Sequence, residues 1–347
     1  MLHIFIRLWK QLSEMDFRVI SILSVFIILF GTFSVYWIEP ETFPTLFDSF
    51  WWTMTTLTTV GYGDFFPVTI AGRLVGIFLF IFGIGLIGVL IGKIVEAAST
   101  YQRLKKEGKL VYKKSGHYVY IGWSKKTEQA IKEVLYHNHG AEIVLIEDTD
   151  ETPMSNDKVH FISGDPSEER ILHKANITEA KRVAIFSDPA IEDAILRDGK
   201  SLLIASAVEA LSMAHEIDIQ TIVEICEERH ISKFNHIRVD DFILSDDSVS
   251  LLMAKATLQP GTTTIFRQLL SKRFGNNIYV LKAKDTWKTY RDASQKLLDD
   301  GAVLIAVNED MDFKEAIKKP LKKDDNLYVI CDETTFKRLN VLYETVE

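Results

Sequence analysis

The sequence predicts an α-helical membrane domain of two spans with a re-entrant helix between them, joined to a cytoplasmic α/β domain and a small α+β C-terminal lobe. Three observations predict it. Hydrophobic residues make up 47% of the chain although 25% is charged, which suits an apolar block attached to an ordinary soluble part. Two long uncharged runs lie in the first hundred residues, and strand-like and helical stretches alternate after them. At 347 residues the chain has room for two or three units. Its 18 Gly and 8 Pro are too few for a collagen-like or low-complexity protein, and its apolar content excludes disorder over most of the length. Two cysteines, Cys226 and Cys331, make neither a disulfide framework nor a four-cysteine zinc site. A net charge of −8 argues against a nucleic-acid binder.

After a cytoplasmic segment (1–16), Val19 to Ile38 forms the first uncharged run and Leu74 to Gly92 the second. Each matches the roughly 20 apolar residues that cross a bilayer core. The first is too long for a cleaved leader, and no small-residue cleavage site follows it at once. Arg7, Lys10 and Arg18 precede the first run; Lys93, Arg103, Lys105, Lys106, Lys109, Lys113 and Lys114 follow the second. Between them stands only Arg73, against Glu39, Glu41, Asp48 and Asp64. The positive-inside rule therefore predicts both termini in the cytoplasm, a multi-pass protein of the cell membrane, and Tyr36, Trp37, Trp51 and Trp52 in the outer aromatic belt. Residues 1–114 hold 11 Lys+Arg against 8 Asp+Glu, the remainder 29 against 40, so the soluble part is acidic.

Phe47 to Leu57 is long enough for three helical turns but too short to cross, which fits a re-entrant helix covered by protein. Thr58-Thr59-Val60-Gly61-Tyr62-Gly63-Asp64 follows. With the two flanking spans, this heptapeptide resembles the potassium channels over residues 17–98. A dehydrated K⁺ needs oxygen ligands in place of its water shell. Carbonyls of Thr59, Val60, Gly61 and Tyr62, with the Thr59 hydroxyl, supply them as stacked rings when four chains meet. The carbonyls face one axis only if alternate residues turn left-handed, which Gly61 and Gly63 do at little steric cost. Val60 and Tyr62 are expected to pack behind the filter; in related nonselective channels an acid replaces this tyrosine. The resemblance further implies a bond from Trp52 to Asp64 as filter support. Some bacterial members carry a pore-helix Glu at the place of Thr55, so inactivation is expected to differ here.

The second span carries Gly76, Gly83, Gly85, Gly88 and Gly92. Glycine is frequent in membrane helices for packing reasons alone. By resemblance Gly83 is the gate hinge, within a Gly83-x-Gly85 stretch, with Gly88 and Gly92 deeper toward the cytoplasmic mouth. No Arg-rich span is present, which rules out a voltage sensor.

Residues 93–117 read as a basic helical linker, the linker domain proper being 99–117. Beyond it, strands are expected near 118–121, 143–146, 159–162, 182–186, 221–225 and 242–244. Helices are expected at 127–138 and 189–214, with Asp188-Pro189 as a cap and first helical position. Alternating β and α predicts a parallel sheet with right-handed crossovers. Gly122-Trp123-Ser124 ends the first strand but keeps only the first glycine of the dinucleotide fingerprint. Glu147 and Asp148 end the second strand, where an acid would hold a ribose, and Gly164-Asp165-Pro166 follows the third. Together these residues resemble the RCK/KTN (TrkA-N plus TrkA-C-like) domains that regulate potassium channels and Trk-type transporters. The resemblance implies a Rossmann-like domain over 118–245, linking helices over 246–275, and a C-terminal lobe over 276–347.

Such domains take calcium, adenine nucleotides or NAD(H), or cyclic dinucleotides, and the residues leave the choice open. Gly122, Ser124, Glu147, Asp148 and Asp165 are the candidate nucleotide contacts. A calcium-gated relative uses an acid after the fourth strand and two acids spaced i, i+2 after the fifth. Glu224 matches one of these; Ser187 and Cys226 stand at the others, with Asp188, Glu227 and Glu228 as neighbouring candidate cation ligands. Gly199-Lys200-Ser201 resembles a P-loop ending, but its earlier glycine is Ala194. His137-Asn138-His139 reads as surface, and Cys226 with His230 falls short of a structural zinc site. No nucleophile–base pair emerges from the spacing, so no enzyme is expected.

The resulting expectation is a homotetrameric K⁺ channel in the lipid bilayer, whose RCK lobes pair into a cytoplasmic gating ring that a ligand reshapes. Relatives add separate soluble RCK copies from an internal start, and here no Met lies between Met54 and Met154. The competing readings are a membrane-anchored nucleotide or redox sensor with a vestigial pore, and a Trk-type transporter component. Thr59 to Gly63, intact, opposes the first; a single filter opposes the second.

Overall fold

The computed structural model describes residues 15–317, 319–323 and 325–344. Most of the expected N-terminal segment, including Arg7 and Lys10, lies outside the described residues. The chain divides into two compact units between Lys105 and Lys106.

In the first unit α1 (Phe17–Ile38) has 22 residues, about 33 Å of helix, enough for a bilayer core of about 30 Å. It buries Ile20, Ser24, Ile27, Gly31 and Val35, a stripe at helical spacing, and leaves Ile22, Val25 and Phe26 exposed. The short helix α2 (Leu46–Leu57) starts on a capping box in which Thr45 and Asp48 bond each other's backbone amides. Gly31 lets α2 approach α1, since a Cβ there would stand 2.9 Å from Thr53 Cγ2. The inner helix runs from Ile70 to Lys106 in three parts: α3 (Ile70–Phe78), a π turn (Leu79–Gly83) and α4 (Ile84–Lys106).

The second unit is built on a six-stranded, all-parallel sheet in the order β3-β2-β1-β4-β5-β6. Its strands are β1 (Tyr118–Ile121), β2 (Ile143–Glu147), β3 (Val159–Ser163), β4 (Arg182–Ile185), β5 (Thr221–Ile225) and β6 (Asp241–Leu244). The crossovers are α5 (Lys125–His137), α6 (Glu169–Lys174) and α7 (Ala194–Ala214). Strands buried on both faces read as apolar runs. Val119, Ile121, Val144, Ile146, Val183 and Val223 form one core, and Tyr120, Leu145 and Phe161 part of another. Two helices follow, α8 (Ser245–Leu258) and α9 (Thr262–Leu270). The last lobe has β7 (Asn277–Lys282), α10 (Tyr290–Asp299), β8 (Val303–Val307), α11 (Phe313–Ala316), β9 (Asn326–Cys331) and α12 (Glu333–Glu344), with antiparallel strands in the order β7-β9-β8.

Two expectations are corrected. The linker is not helical throughout: α4 stops at Lys106, and residues 107–117 bond instead to the ends of β3 and α6 and to Glu179. Ser163 N–H donates to Gly108 O (3.2 Å), Tyr112 N–H to Lys174 O (2.9 Å) and Gly116 N–H to Glu179 O (2.8 Å). The turn is set by Gly108, with φ +62° and room for no Cβ, which would meet Ser163 N at 2.3 Å. The long helix likewise starts at Ala194 rather than at Pro189. Asp193 caps it by accepting from Leu196 N–H (3.0 Å), while Asp188 folds its own turn by accepting from Ala190 N–H (2.9 Å).

Gly108→Ala is expected to cost about 1–3 kcal/mol, because it combines a left-handed angle with backbone overlap. Gly116→Ala shares the left-handed angle (φ +71°) but meets open space, and should cost about 1–2 kcal/mol, less than Gly108→Ala. Denaturant unfolding of the purified full chain, read by fluorescence of the second unit, ranks the two.

Candidate functional site

The segment expected to form the filter follows α2 directly. Positive φ occurs at Thr59 (+61°), Gly61 (+56°) and Gly63 (+77°), with Val60 and Tyr62 between them. This strict alternation is what turns successive carbonyls toward one side. The Thr55 carbonyl accepts from both Val60 N–H (2.9 Å) and Gly61 N–H (3.1 Å), so the residue standing at the expected Glu position anchors the filter through its backbone.

The filter support is corrected by one residue. Trp51 Nε1–H, not Trp52, donates to Asp64 Oδ2 (2.8 Å). Trp51 also stacks on Tyr62, with ring centroids 5.7 Å apart and planes within 1°. Adjacent residues point about 100° apart on a helix, so only one indole can face the filter. Trp52 turns inward to Phe43, centroids 5.5 Å apart, and is buried.

Gly83 closes the π turn, and a Cβ there would lie 2.2 Å from Leu57 Cδ2 at the end of α2. Gly85, Gly88 and Gly92 have no such neighbour within 4 Å. The structure thus separates one packing glycine from three in open space. Sequence reasoning missed Glu39, which is 3% exposed. Its carboxylate accepts from Val68 N–H and Thr69 N–H (both 2.9 Å), joining the end of α1 to the start of α3. No local pattern announces a partner about 30 residues away.

In the α/β unit the strand order reverses between β1 and β4, and a cavity of about 120 Å³ opens there beyond the strand ends. Gly122, Glu147, Asp148 and Asp165 line it, as expected, joined by Asp188 and Lys200. Gly122 needs its φ of +93°, and a Cβ would press on Phe186 O at 2.9 Å. Ser124 lies outside the lining and caps α5, its hydroxyl accepting from Thr127 N–H. Glu147 accepts from Trp123 N–H and from Asp148 N–H (3.0 Å), so it shapes the turn after β1 as well as the cavity. The Ser167 amide and hydroxyl hold Asp165 below the usual carboxylate range. Lys200, 2.8 Å from Asp188, does the same there against some burial.

The candidate cation ligands do not converge. Asp188 is paired with Lys200, Glu224 with Lys126 and Glu227 with Arg229, while Glu228 is exposed. Among the described residues no group of three or more His, Cys, Asp or Glu could hold a metal ion. Burial works against the Glu224 charge, but hydrogen bonds from Lys126, Ser245 and the Ser187 amide outweigh it and keep the carboxyl below its ordinary range. A second missed residue is Asp198, 3% exposed. It accepts from Cys226 N–H (2.8 Å) and Glu227 N–H (3.2 Å), and lies 2.6 Å from His230 Nδ1. The legible signal was a charge in register with the buried stripe Ser201, Ala205, Val208 and Leu211.

Two outcomes are expected. Trp51→Phe should lose a hydrogen bond to a charged partner, about 1.5–3 kcal/mol, whereas Trp52→Phe loses core packing and keeps Asp64 bound; thermal unfolding in an Asp64→Asn background, which should cancel the cost of the first and not of the second, separates them. Burial pushes both thiols, Cys226 and Cys331, up to about 11. Maleimide at neutral pH should leave both unlabelled in the native protein and label both after denaturation.

The pore segment, residues 22–100, matches the family described as "Ion channel", and residues 113–237 match "Calcium-activated potassium channel slowpoke-like RCK domain". A putative potassium channel protein, YugO of Bacillus subtilis, is 31% identical over 68% of this chain and 70% of its own. A calcium-gated potassium channel, TvoK of Thermoplasma volcanium, is 30% identical over 76% of this chain and 75% of its own. The human SLO3 gating ring matches in fold alone, with a TM-score of 0.51 at 15% identity over 64% of this chain and 46% of that one. With an alternating filter backbone and a parallel regulatory sheet already in place, these relationships settle the family: the chain is a member of the potassium channels that carry an RCK regulatory domain, a membrane ion channel and not an enzyme.

Proposed function

We propose that four copies of this chain enclose one K⁺-selective filter, opened and closed by a ligand bound to the cytoplasmic RCK units. The observation that carries the pore reading is the alternation of backbone angles at Thr59, Gly61 and Gly63. A single chain offers one strand of carbonyls, and a K⁺ ion needs a ring of them, so the site is complete only where copies meet. The donor set suits the ion: neutral, hard carbonyl oxygens replace water without trapping the cation, as carboxylates would. The count of Lys and Arg supports cytoplasmic termini and an external loop from Glu39 to Arg73. The π turn ending at Gly83 supports a hinge there, since an extra residue in a turn weakens the local helix ladder.

For the ligand, the cavity where strand order reverses favours a nucleoside-bearing molecule. Glu147 keeps lone pairs for a ribose diol, and the phosphate end would approach the N-terminus of α5. Three further carboxylates at the cavity oppose a highly charged phosphate chain. The dispersed acids near β5 give divalent cations less support. By linkage, whichever ligand opens the pore must bind the open arrangement more tightly than the closed one.

Gly61→Ala is expected to abolish K⁺ flux into liposomes reconstituted with the purified protein; selective flux at the wild-type level would remove the filter assignment. Calorimetric titration with ADP and with NADH should show binding that weakens at least tenfold in Glu147→Gln, about 1.4 kcal/mol. Heat from Ca²⁺ alone would transfer the regulatory site elsewhere.

A further inference from the structure

Glu224, near the end of β5, is a buried carboxylate, at 5% exposure. A lone charge in such a place is unfavourable unless an opposite charge and hydrogen bonds meet it. Here Ser187 N–H donates to one oxygen (3.1 Å) and the Lys126 ammonium pairs with the other. Ser245, the first residue of α8, contributes a further hydrogen bond. Three segments of the unit therefore converge on one carboxylate: α5 through Lys126, the end of β4 through Ser187, and the exit into α8 through Ser245.

The charges balance one to one. The neighbouring side chains Ser187 and Cys226 add no anion at neutral pH, for the Cys226 thiol is pushed up to about 11 by burial. A divalent ion placed beside Glu224 would displace Lys126 and leave uncompensated positive charge. The Ser187 hydroxyl oxygen is buried and has no hydrogen-bond partner, so a polar ligand atom next to Glu224 is left unspent. Lys126 itself is anchored one residue inside the N-terminus of α5 and reaches over 98 positions of sequence to Glu224.

We propose that the Lys126 ammonium is a tethered cation that occupies Glu224, so that the end of β5 holds its cation-bound arrangement without a free ion. This rests on the reading of the α/β unit as the regulator of the pore. It makes the arrangement around Glu224 independent of divalent concentration, and it sets this chain apart from a calcium-gated relative. The free energy that a dissolved cation would supply on binding is built into the chain, and Lys126 ties α5 to the start of α8.

The test uses the purified full chain as wild type, Lys126→Ala, Lys126→Arg and Lys126→Ala/Glu224→Gln. Thermal unfolding is followed with and without millimolar propylammonium or CaCl₂. Lys126→Ala should unfold at lower temperature than wild type, and propylammonium should restore at least half of the loss. Ca²⁺, carrying one charge too many, should restore less. Wild type, Lys126→Arg and the double variant should respond to neither cation. In liposomes the basal K⁺ flux of Lys126→Ala should fall at least tenfold and return with propylammonium. The proposal is overturned by a Lys126→Ala protein as stable as wild type, by a loss that neither cation repairs while Lys126→Arg stays stable, or by equal rescue of the double variant. Unfolding reads the tethered cation whether or not the pore conducts, and wild-type flux reads the channel by itself, so the two readings fail separately.

Discussion

A row of carbonyls facing one way is a conformation that a chain of L-residues resists, and the membrane unit is organised around meeting that demand. Every second residue must take a left-handed angle, at little cost for glycine and at some cost for Thr59. The strained segment persists because its surroundings over-determine it. The Thr55 carbonyl takes two filter amides, Trp51 holds Asp64 and stacks on Tyr62, and the capping box at Thr45 fixes where α2 begins. Gly31 and Gly83 remove the side chains that would push α1 and the inner helix away from α2. Packing at two glycines and a hydrogen bond at an indole thus serve the same backbone geometry.

Legibility in the sequence followed the range of each interaction. Both spans, the alternation of strand and helix that makes a parallel sheet, and Gly122, Glu147, Asp148 and Asp165 at the crevice were readable, because each rests on local composition or on a short motif; the order of the strands was not. The identity of the tryptophan at Asp64 was not, since motif spacing does not say which of two adjacent side chains faces the filter. The linker reading failed for a different reason. Residues 107–117 are rich in lysine and free of proline, and so look helical, yet tertiary hydrogen bonds from Ser163 and to Lys174 and Glu179 take their backbone instead. Glu39 was invisible as a hub, because its partners lie about 30 residues away, whereas Asp198 showed as a charge in a buried stripe although nothing local named its partners.

The α/β unit shows how polar groups can be buried where strands end. Glu147, Asp198 and Glu224 each accept backbone amides of neighbouring turns. Each carboxylate thereby sets the path of the chain at the crevice as well as its charge. A ligand entering the cavity would meet Glu147, which already holds the turn after β1, so a shift of that acid moves backbone directly. That economy of roles explains why the acids stay dispersed: each is committed to its own turn.

The π turn in the inner helix has a consequence for how the two halves of that helix are aimed. One residue more than an α-helical turn needs is accommodated between Leu79 and Gly83. Wound instead as an unbroken α-helix, the same residues would rotate everything beyond them by about 90° around the axis. Gly85, Gly88 and Gly92 would then sweep to a different side while Leu74 to Phe78 stayed in place. The wide turn therefore acts as an indexing device, setting the azimuth of the C-terminal half of this helix against that of its N-terminal half.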